Sequence, residues 1–341
     1  MPNESIITIA RRTGFSASTV SRVLNGQSAK YRISEKTAQL ILLEARRCGY
    51  SPNPLAKGLR TNRTFTIGLI IPSIDNPYFA EISNGIISRA KEYGYTVMAI
   101  DTMENERNET DGISTLLGRK VDGLLVVPAG KDPSLLEQVR REGTPVVLID
   151  RHFENSDLPF VCSDNYRGGY DATEYLIGQG HRRIRCIQGV RHSLPSKLRV
   201  QGYISAMKDN FLEQYIDIAG ENFSISDGYT HTAHALMLPE PPTAVFALSN
   251  TIALGAIKAV REAGHSIPRD MSLLSFDDNP YLDFMSPAIT RMGQPTESIC
   301  EKALALLLHG MDSQTFPSCE ESAQLPTRLI IRDSVRELNT R

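Results

Sequence analysis

Thr8–Gly26 reads TIARRTGFSASTVSRVLNG: rich in Ser, Thr and Arg, free of acidic residues, and threaded by Ile9, Ala10, Phe15, Val20, Val23 and Leu24. The apolar rhythm implies a small buried core, and the hydroxyls and arginines imply an outer surface suited to a polyanion. Ser5 fits the N-cap of a helix running to about Thr13, with Ile6, Ile9 and Ala10 on one face. Gly14 offers the backbone freedom of a sharp helix-to-helix turn. Ser16 then caps a second helix with Val20, Val23 and Leu24 inward. Ser34 caps a third, with Ala38, Ile41, Leu42 and Ala45 turned towards the first two. Ala10, Gly14 and Val20 form the small–turn–apolar triplet of a helix-turn-helix. A three-helix core that never meets nucleic acid has the same spacing, so the outward face of the second helix decides. Ala17, Ser18, Thr19, Ser21, Arg22 and Asn25 are short side chains plus one long fork, which lets a helix sit deep in a major groove. Arg22 can then pair with guanine, while Ser16, Thr19, Ser21 and Asn25 meet phosphates.

Charge supports this division. Residues 1–63 hold 11 Lys/Arg against Glu4, Glu35 and Glu44, a net +8, so the remaining residues carry 26 − 36 = −10. A basic head on an acidic body points to a head that touches nucleic acid. At 341 residues the chain exceeds one ordinary core and calls for two or three domains. Five scattered cysteines predict buried thiols in a reducing cytosol, with neither a metal site nor a disulfide frame. MPNESIITIARR lacks an apolar leader core, and no run of about 18 apolar residues occurs, so the expectation is a cytoplasmic protein with no membrane partner.

Residues 51–63, SPNPLAKGLRTNR, join head to body. Pro52 and Pro54 bar a continuous helix, Asn53 fits a cap, and Gly58 leaves any short helix marginal without support. From Thr66 onward TIGLII, YTVMAI, GLLVVP and TPVVLID alternate with amphipathic stretches such as FAEISNGIISRAKEYG. RRIRCIQG, PTAVFALS and MSLLSFDD form a second series, with helices around 172–177, 199–209 and 252–263. Such alternation predicts an α/β body of two doubly wound parallel sheets with ligands beyond the strand C-termini. Neither GxGxxG nor GxxxxGK[ST] opens a helix.

SASTVSRVLNG, GYSPNPLAKGLRTNRTFTIGLIIPSIDNPYFAEI, VDGLLVVP, VVLIDR, Gly180–His181, LGAIKAVREAG, SLLSFDD and LPTRLIIRDSV follow one another in order. Along its whole length the chain resembles the lactose/galactose-repressor (LacI/GalR) family of bacterial transcription regulators. That resemblance implies a helix-turn-helix headpiece over 1–50, a hinge over 51–65 and an effector-binding, dimerising body over 66–341. The body would be periplasmic-binding-protein-like, with an N-lobe at about 66–160 and 288–320 and a C-lobe at about 161–287 and 321–335. Three crossovers would then fall near 158–162, 276–288 and 318–326.

By the same resemblance, Ala17 and Ser18 read bases with help from Arg22. Asn53, Ala56 and Leu59 pair with a dimer mate in the minor groove, where Leu59 wedges a base step open. Effector contacts would come from Asn76, Tyr78, Phe79, Asp150, Arg151, Arg199, Phe223, Ser249, Asp277 and Gln294. An aromatic wall with carboxylates and an arginine suits a polyhydroxylated ring. Arg151 has an alternative role as an ion-pair partner of Asp164. The implied partners are a double-stranded operator, a second copy of the chain and a small sugar-type effector, with no cofactor and no metal. The implied function is allosteric control of carbohydrate-metabolism genes, most simply as a repressor bound to the nucleoid.

The chain also departs from the family pattern. Ala17 and Ser18 are small, and the loop Ser28–Ile33 is about three residues longer than is common, so Lys30, Tyr31 and Arg32 add backbone contacts. Ser249–Asn250 stands where Asn-Asp is frequent, and Pro128 where a polar ligand group occurs. With Arg151, Arg191, His192, Lys197 and Arg199 near, a sugar acid or sugar phosphate stays open beside a neutral sugar. Two rivals come from other classes. A sugar-binding receptor without a DNA role would lack the basic head. An enzyme acting on a sugar would need more than His231/His234 without HExxH, Ser249 without a nucleophile elbow, and Asp277–Asp278 without an opposing carboxylate.

Overall fold

The computed structural model describes residues 5–24, 26–50, 63–313 and 316–338. The chain divides into two units, Met1–Thr64 and Phe65–Arg341.

In the first unit, α1 (Ile6–Thr13), α2 (Ala17–Leu24) and α3 (Glu35–Arg47) enclose Ile9, Val20, Val23, Ile41 and Ala45. Hydroxyl caps start each helix: Ser5, Ser16 and Ser34 accept from the N–H groups of Thr8, Thr19 and Thr37. Each cap is worth about 1 kcal/mol. Gly14 closes α1 at φ 74°, a conformation that suits glycine. Leu42 departs from expectation: it is 41% exposed, because the face of α3 that meets α1 and α2 is narrow and Ile41 and Ala45 fill it. Arg12 ties α1 to α3 by donating to the Cys48 sulfur at 2.7 Å, with Glu44 at 3.5 Å.

The second unit contains two six-stranded sheets. Its strands are β1 (Thr66–Ile71), β2 (Thr96–Asp101), β3 (Gly123–Val126), β4 (Val146–Ile149), β5 (Phe160–Ser163), β6 (Ile184–Ile187), β7 (Ile216–Ala219), β8 (Ala244–Ala247), β9 (Ser272–Phe276), β10 (Thr290–Gly293), β11 (Ala323–Leu325) and β12 (Arg328–Ile330). Sheet order is β11-β5-β4-β3-β1-β2 in one lobe and β12-β10-β9-β8-β6-β7 in the other, so the lobes repeat one topology. Among the described residues only β12 runs antiparallel to its neighbour. The runs TIGLII, GLLV, VVLI, IRCI, AVFA and SLLSF are buried almost throughout, as parallel strands covered on both faces must be. By contrast β2 is an edge strand and largely half-buried.

Helices α4 (Pro77–Glu92), α5 (Glu106–Gly118) and α6 (Ser134–Arg141) cover the first sheet, joined by α11 (Thr296–Asp312). Helices α7 (Asn165–Gly178), α8 (Leu194–Asp209), α9 (Ile225–Leu236) and α10 (Asn250–Glu262) cover the second. The lobe boundaries inferred from sequence shift accordingly. β5 belongs to the first sheet, so the chain crosses at Asp164 and not at 158–162. Residues 290–293, assigned above to the N-lobe, pair with β9 in the second sheet, and the return falls at Gln294–Pro295. Residues 323–325, assigned above to the C-lobe, pair with β5 in the first sheet, so the last crossing is Pro326–Thr327, between β11 and β12. These short strands escaped notice because three or four residues beside a crossover carry little periodic signal.

Cysteine burial also differs from expectation. Cys162, Cys186 and Cys300 are buried, but Cys48 and Cys319 are only half-buried, since each accompanies a polar partner, Glu44 or Asp157.

Candidate ligand cleft and nucleic-acid interface

On the head, Ala17, Ser18 and Arg22 are exposed on one side of α2. The Ser16 hydroxyl lies 2.9 Å from that of Ser18 and 2.8 Å from that of Thr19, so these three form a local cluster at the helix start. The Arg22 guanidinium rests 4.0 Å over the Tyr31 ring, and Lys30 sits 6.0 Å from the same ring. The longer loop thus holds Arg22 in place. Arg32 occupies φ 52° in that loop and is exposed. A surface cation–π contact is worth about 0.5–1 kcal/mol, against about 1–3 kcal/mol for a bidentate arginine–guanine pair, so Tyr31 positions the fork without trapping it. Thr19 and Ser21 are half-buried. Asn25, Asn53, Ala56 and Leu59 lie outside the described residues.

In the body, the C-terminal ends of the two sheets face one cleft. Asn76, Tyr78, Phe79, Asp150, Arg151, Arg199, Phe223, Ser249, Asp277 and Gln294 all line one small cavity there, joined by Ser193 and Pro195. Most are delivered by a strand end or helix start, and Arg199 comes from the second turn of α8. Asn76 caps α4 by accepting from Tyr78 N–H. Asp150 and Asp277 follow β4 and β9, equivalent strands of the two lobes, at φ 64° and 77°. Holding non-glycine residues there costs energy that the sites around them must repay.

The polar groups are knitted together. Tyr78 Oη donates to Asp150 Oδ1 at 3.0 Å. Arg199 donates from Nε to Asn165 Oδ1 at 2.7 Å and from Nη1 to the Leu248 carbonyl at 2.8 Å. It also stacks 3.7 Å over Phe276 and lies 4.0 Å from Asp277 Oδ1. Gln294, on the second crossover, accepts from Ser163 at 2.7 Å and donates to Asp277 at 2.7 Å. Ser249 caps α10 through Ile252 N–H, and the Asn250 side chain donates to Asn279. Burial raises both carboxyl pKa values, opposed at Asp150 by Arg199, Arg151 and the Tyr78 hydroxyl. At Asp277 the opposition comes from Arg199, the Asn250 N–H and Gln294. Burial and the two carboxylates push the Tyr78 phenol well up. Two carboxylates therefore share the Arg199 guanidinium, with Arg151 also acting on Asp150, around a space of about 20 Å³.

Arg151 does not pair with Asp164. Its guanidinium forks onto Glu104 at 2.6 and 2.7 Å and also donates to the Pro128 carbonyl at 3.2 Å. Asp164 instead caps α7. Sequence reasoning missed Glu104, which lies 47 residues from Arg151 in a loop without a motif. It also missed Asn165, Ser163 and Ser193, whose roles follow only from crossover placement. The Asp277–Asp278 pair is split: Asp277 faces the cleft, whereas Asp278 accepts from Arg291 at 2.7 Å. His231 sits 3.9 Å from Asp227, and His234 3.2 Å from Arg185. Among the described residues no cluster has metal-ligand composition, and no helix is long and apolar enough to cross a membrane.

Residues 5–53 match the family described as bacterial regulatory proteins, lacI family, and residues 64–282 match periplasmic binding proteins and sugar binding domain of LacI family. The chain is 34% identical over 335 residues to the HTH-type transcriptional repressor CytR of Escherichia coli (strain K12), covering 97% of this chain and 96% of that one. It is 31% identical over 330 residues to the ribose operon repressor of the same strain, covering 96% and 98%. The structure of the lac repressor dimer bound to operator and the anti-inducer ONPF superposes with a TM-score of 0.86 at 23% identity, covering 98% of this chain and 99% of that one. The chain belongs to the LacI family, and it is a DNA-binding, sugar-responsive regulator of transcription.

Proposed function

We propose that the protein is a homodimeric repressor, acting in the cytoplasm, in which a sugar or sugar derivative bound among Asp150, Arg199, Asp277 and the aromatic side chains alters the grip of the head on its operator. The observation that carries this reading is the convergence of all ten sequence-derived cleft residues, five from each side of the first crossover, on one cavity. Carboxylates and a guanidinium bridge vicinal hydroxyls, and Tyr78, Phe79 and Phe223 offer faces to C–H groups. Space of about 20 Å³ holds a single water and not a monosaccharide, so entry of a sugar has to part the lobes or displace side chains. Gln294 stands between Ser163 and Asp277, on a crossover, so ligation of Asp277 is felt where the lobes hinge. In the head, Ala17 and Ser18 admit α2 to the groove and Arg22 supplies base readout, with Ser21, Tyr31 and Arg32 towards phosphates.

For the second copy, Phe284 is 87% exposed and stands beside Leu254 and Met285 on the second lobe. Such a ring suits a symmetric apolar contact. The test is a fluorescence titration of full-length protein on operator DNA with a panel of sugars and their derivatives. Asp277→Ala should keep operator affinity within about threefold and lose the effector response by about 100-fold, the cost of about 2–3 kcal/mol for one charged contact. An intact response in Asp277→Ala removes the cleft from the mechanism.

A further inference from the structure

Outward from the small cavity the cleft widens into a second space of about 300 Å³. Arg151 and Ser193 line both, so the two are contiguous. This outer compartment is bordered by Lys131, Arg151, His152, His192, Ser193 and Lys197. Ser193 is the N-cap of the 16-residue α8, yet its side chain makes no capping bond. Its hydroxyl is buried without any hydrogen-bond partner, in a residue only 4% exposed. The N-terminal end of α8 thus borders the cavity through Ser193, Leu194 and Lys197, with an unengaged buried hydroxyl at its cap. Lys197 adds a cation from the first turn of the same helix, and Lys131 adds one from the opposite lobe. Neither lysine has an ion-pair partner among the described residues. Of the other charges, Arg151 is taken by Glu104, and only Glu154 opposes the two lysines in the lining.

We infer that this outer compartment is an oxyanion subsite, taking a phosphate or carboxylate carried by the effector while the inner cavity holds the sugar ring. The inference rests on the cleft being the effector site. An anion seated on the α8 N-terminus, Ser193 and Lys197 reaches Lys131 across the cleft. Charge on the ligand thereby draws the two lobes together, and a free sugar of the same ring lacks that pull.

Thermal-shift titrations of the full-length protein with inorganic phosphate, and separately with neutral pentoses and hexoses, test it. Phosphate should stabilise the wild type, and the double variant Lys131→Ala/Lys197→Ala should need at least about tenfold more phosphate for the same shift. Both lysines are exposed, so the double variant should fold. Arg22→Ala, in the head, serves as the control and should respond as the wild type does. An equal response in the double variant, a loss confined to Arg22→Ala, or no response in the wild type overturns the oxyanion subsite. The neutral sugars report on the underlying reading alone. Their binding to both proteins, alongside a failed phosphate result, leaves the sugar cleft standing and removes the subsite. A phosphate response that needs both lysines, with no neutral sugar bound, keeps the subsite and removes the neutral sugars as effectors.

Discussion

Asp150 and Asp277 illustrate how function draws on stability at single residues. Both sit on left-handed backbone, both are buried, and burial raises both carboxyl pKa values against the pull of Arg199. Arg199 serves both carboxylates, and Arg151, which also acts on Asp150, is already forked onto Glu104. Asp150→Asn leaves the Arg199–Asp277 pair intact and keeps an acceptor for Tyr78, so the variant should melt higher at pH 7. A rise of about 2–4 °C corresponds to about 1 kcal/mol. The sign follows from linkage. Below the unfolded-state carboxyl pKa both folded and unfolded wild type hold the proton, and the two proteins match. As pH rises through the raised native value, wild type loses stability that the amide keeps. Melting temperatures measured from pH 3.5 to 7.5 check this; a gain equal at every pH means that the charge is not its source. The carboxylates themselves were legible as residues just past apolar strands. Their mutual distance and the guanidinium between them were not, because Asp150 and Asp277 lie on different lobes.

At the scale of elements, helix pairs set the position of the site. A Cβ on Gly169 of α7 would strike the backbone of α8 at Arg199, and one on Gly202 of α8 would strike the backbone of α7 at Tyr166. The two helices touch backbone to backbone at the turn that delivers Arg199. Gly169→Ala should therefore cost about 1–3 kcal/mol by forcing the helices apart. Because the shift falls on Arg199, effector response should weaken further than operator affinity does, as paired titrations can measure. Loss of both in equal proportion would show general unfolding instead. Neither glycine belongs to a motif that marks it in the sequence. Which backbone they admit is a property of the packed pair.

For the whole molecule, the separation of charge predicts how DNA is held. A head with a net +8 over residues 1–63 releases counterions from the duplex, so operator affinity should fall by about 10³-fold or more between about 50 and 200 mM salt. Filter binding or anisotropy across that range checks it, and a flat response is incompatible with a phosphate-gripping head. Two heads need two bodies held together. Phe284→Asp should place a charge in the apolar patch with Leu254 and Met285, shift sedimentation towards the monomer, and weaken binding to a two-half-site operator by at least about tenfold. Retention of the dimer would move the contact to another face.

Local chemistry determined a great deal in advance. Helix caps at Ser5, Ser16 and Ser34, the turn at Gly14, the buried parallel strands and the basic head are all short-range consequences of side-chain type, and they are visible in the order of residues. The ten cleft positions needed the family resemblance as well, joined to the expectation that ligands lie beyond strand C-termini in a doubly wound sheet. What only the folded chain decided are the contacts between segments far apart in sequence: Glu104 on Arg151, Gln294 between Ser163 and Asp277, the crossings at Asp164 and Gln294, and Arg22 on Tyr31. Their physical origin is the same throughout. A buried polar group must find a partner wherever the packing of two lobes happens to bring one, and that pairing leaves no periodic trace along the chain.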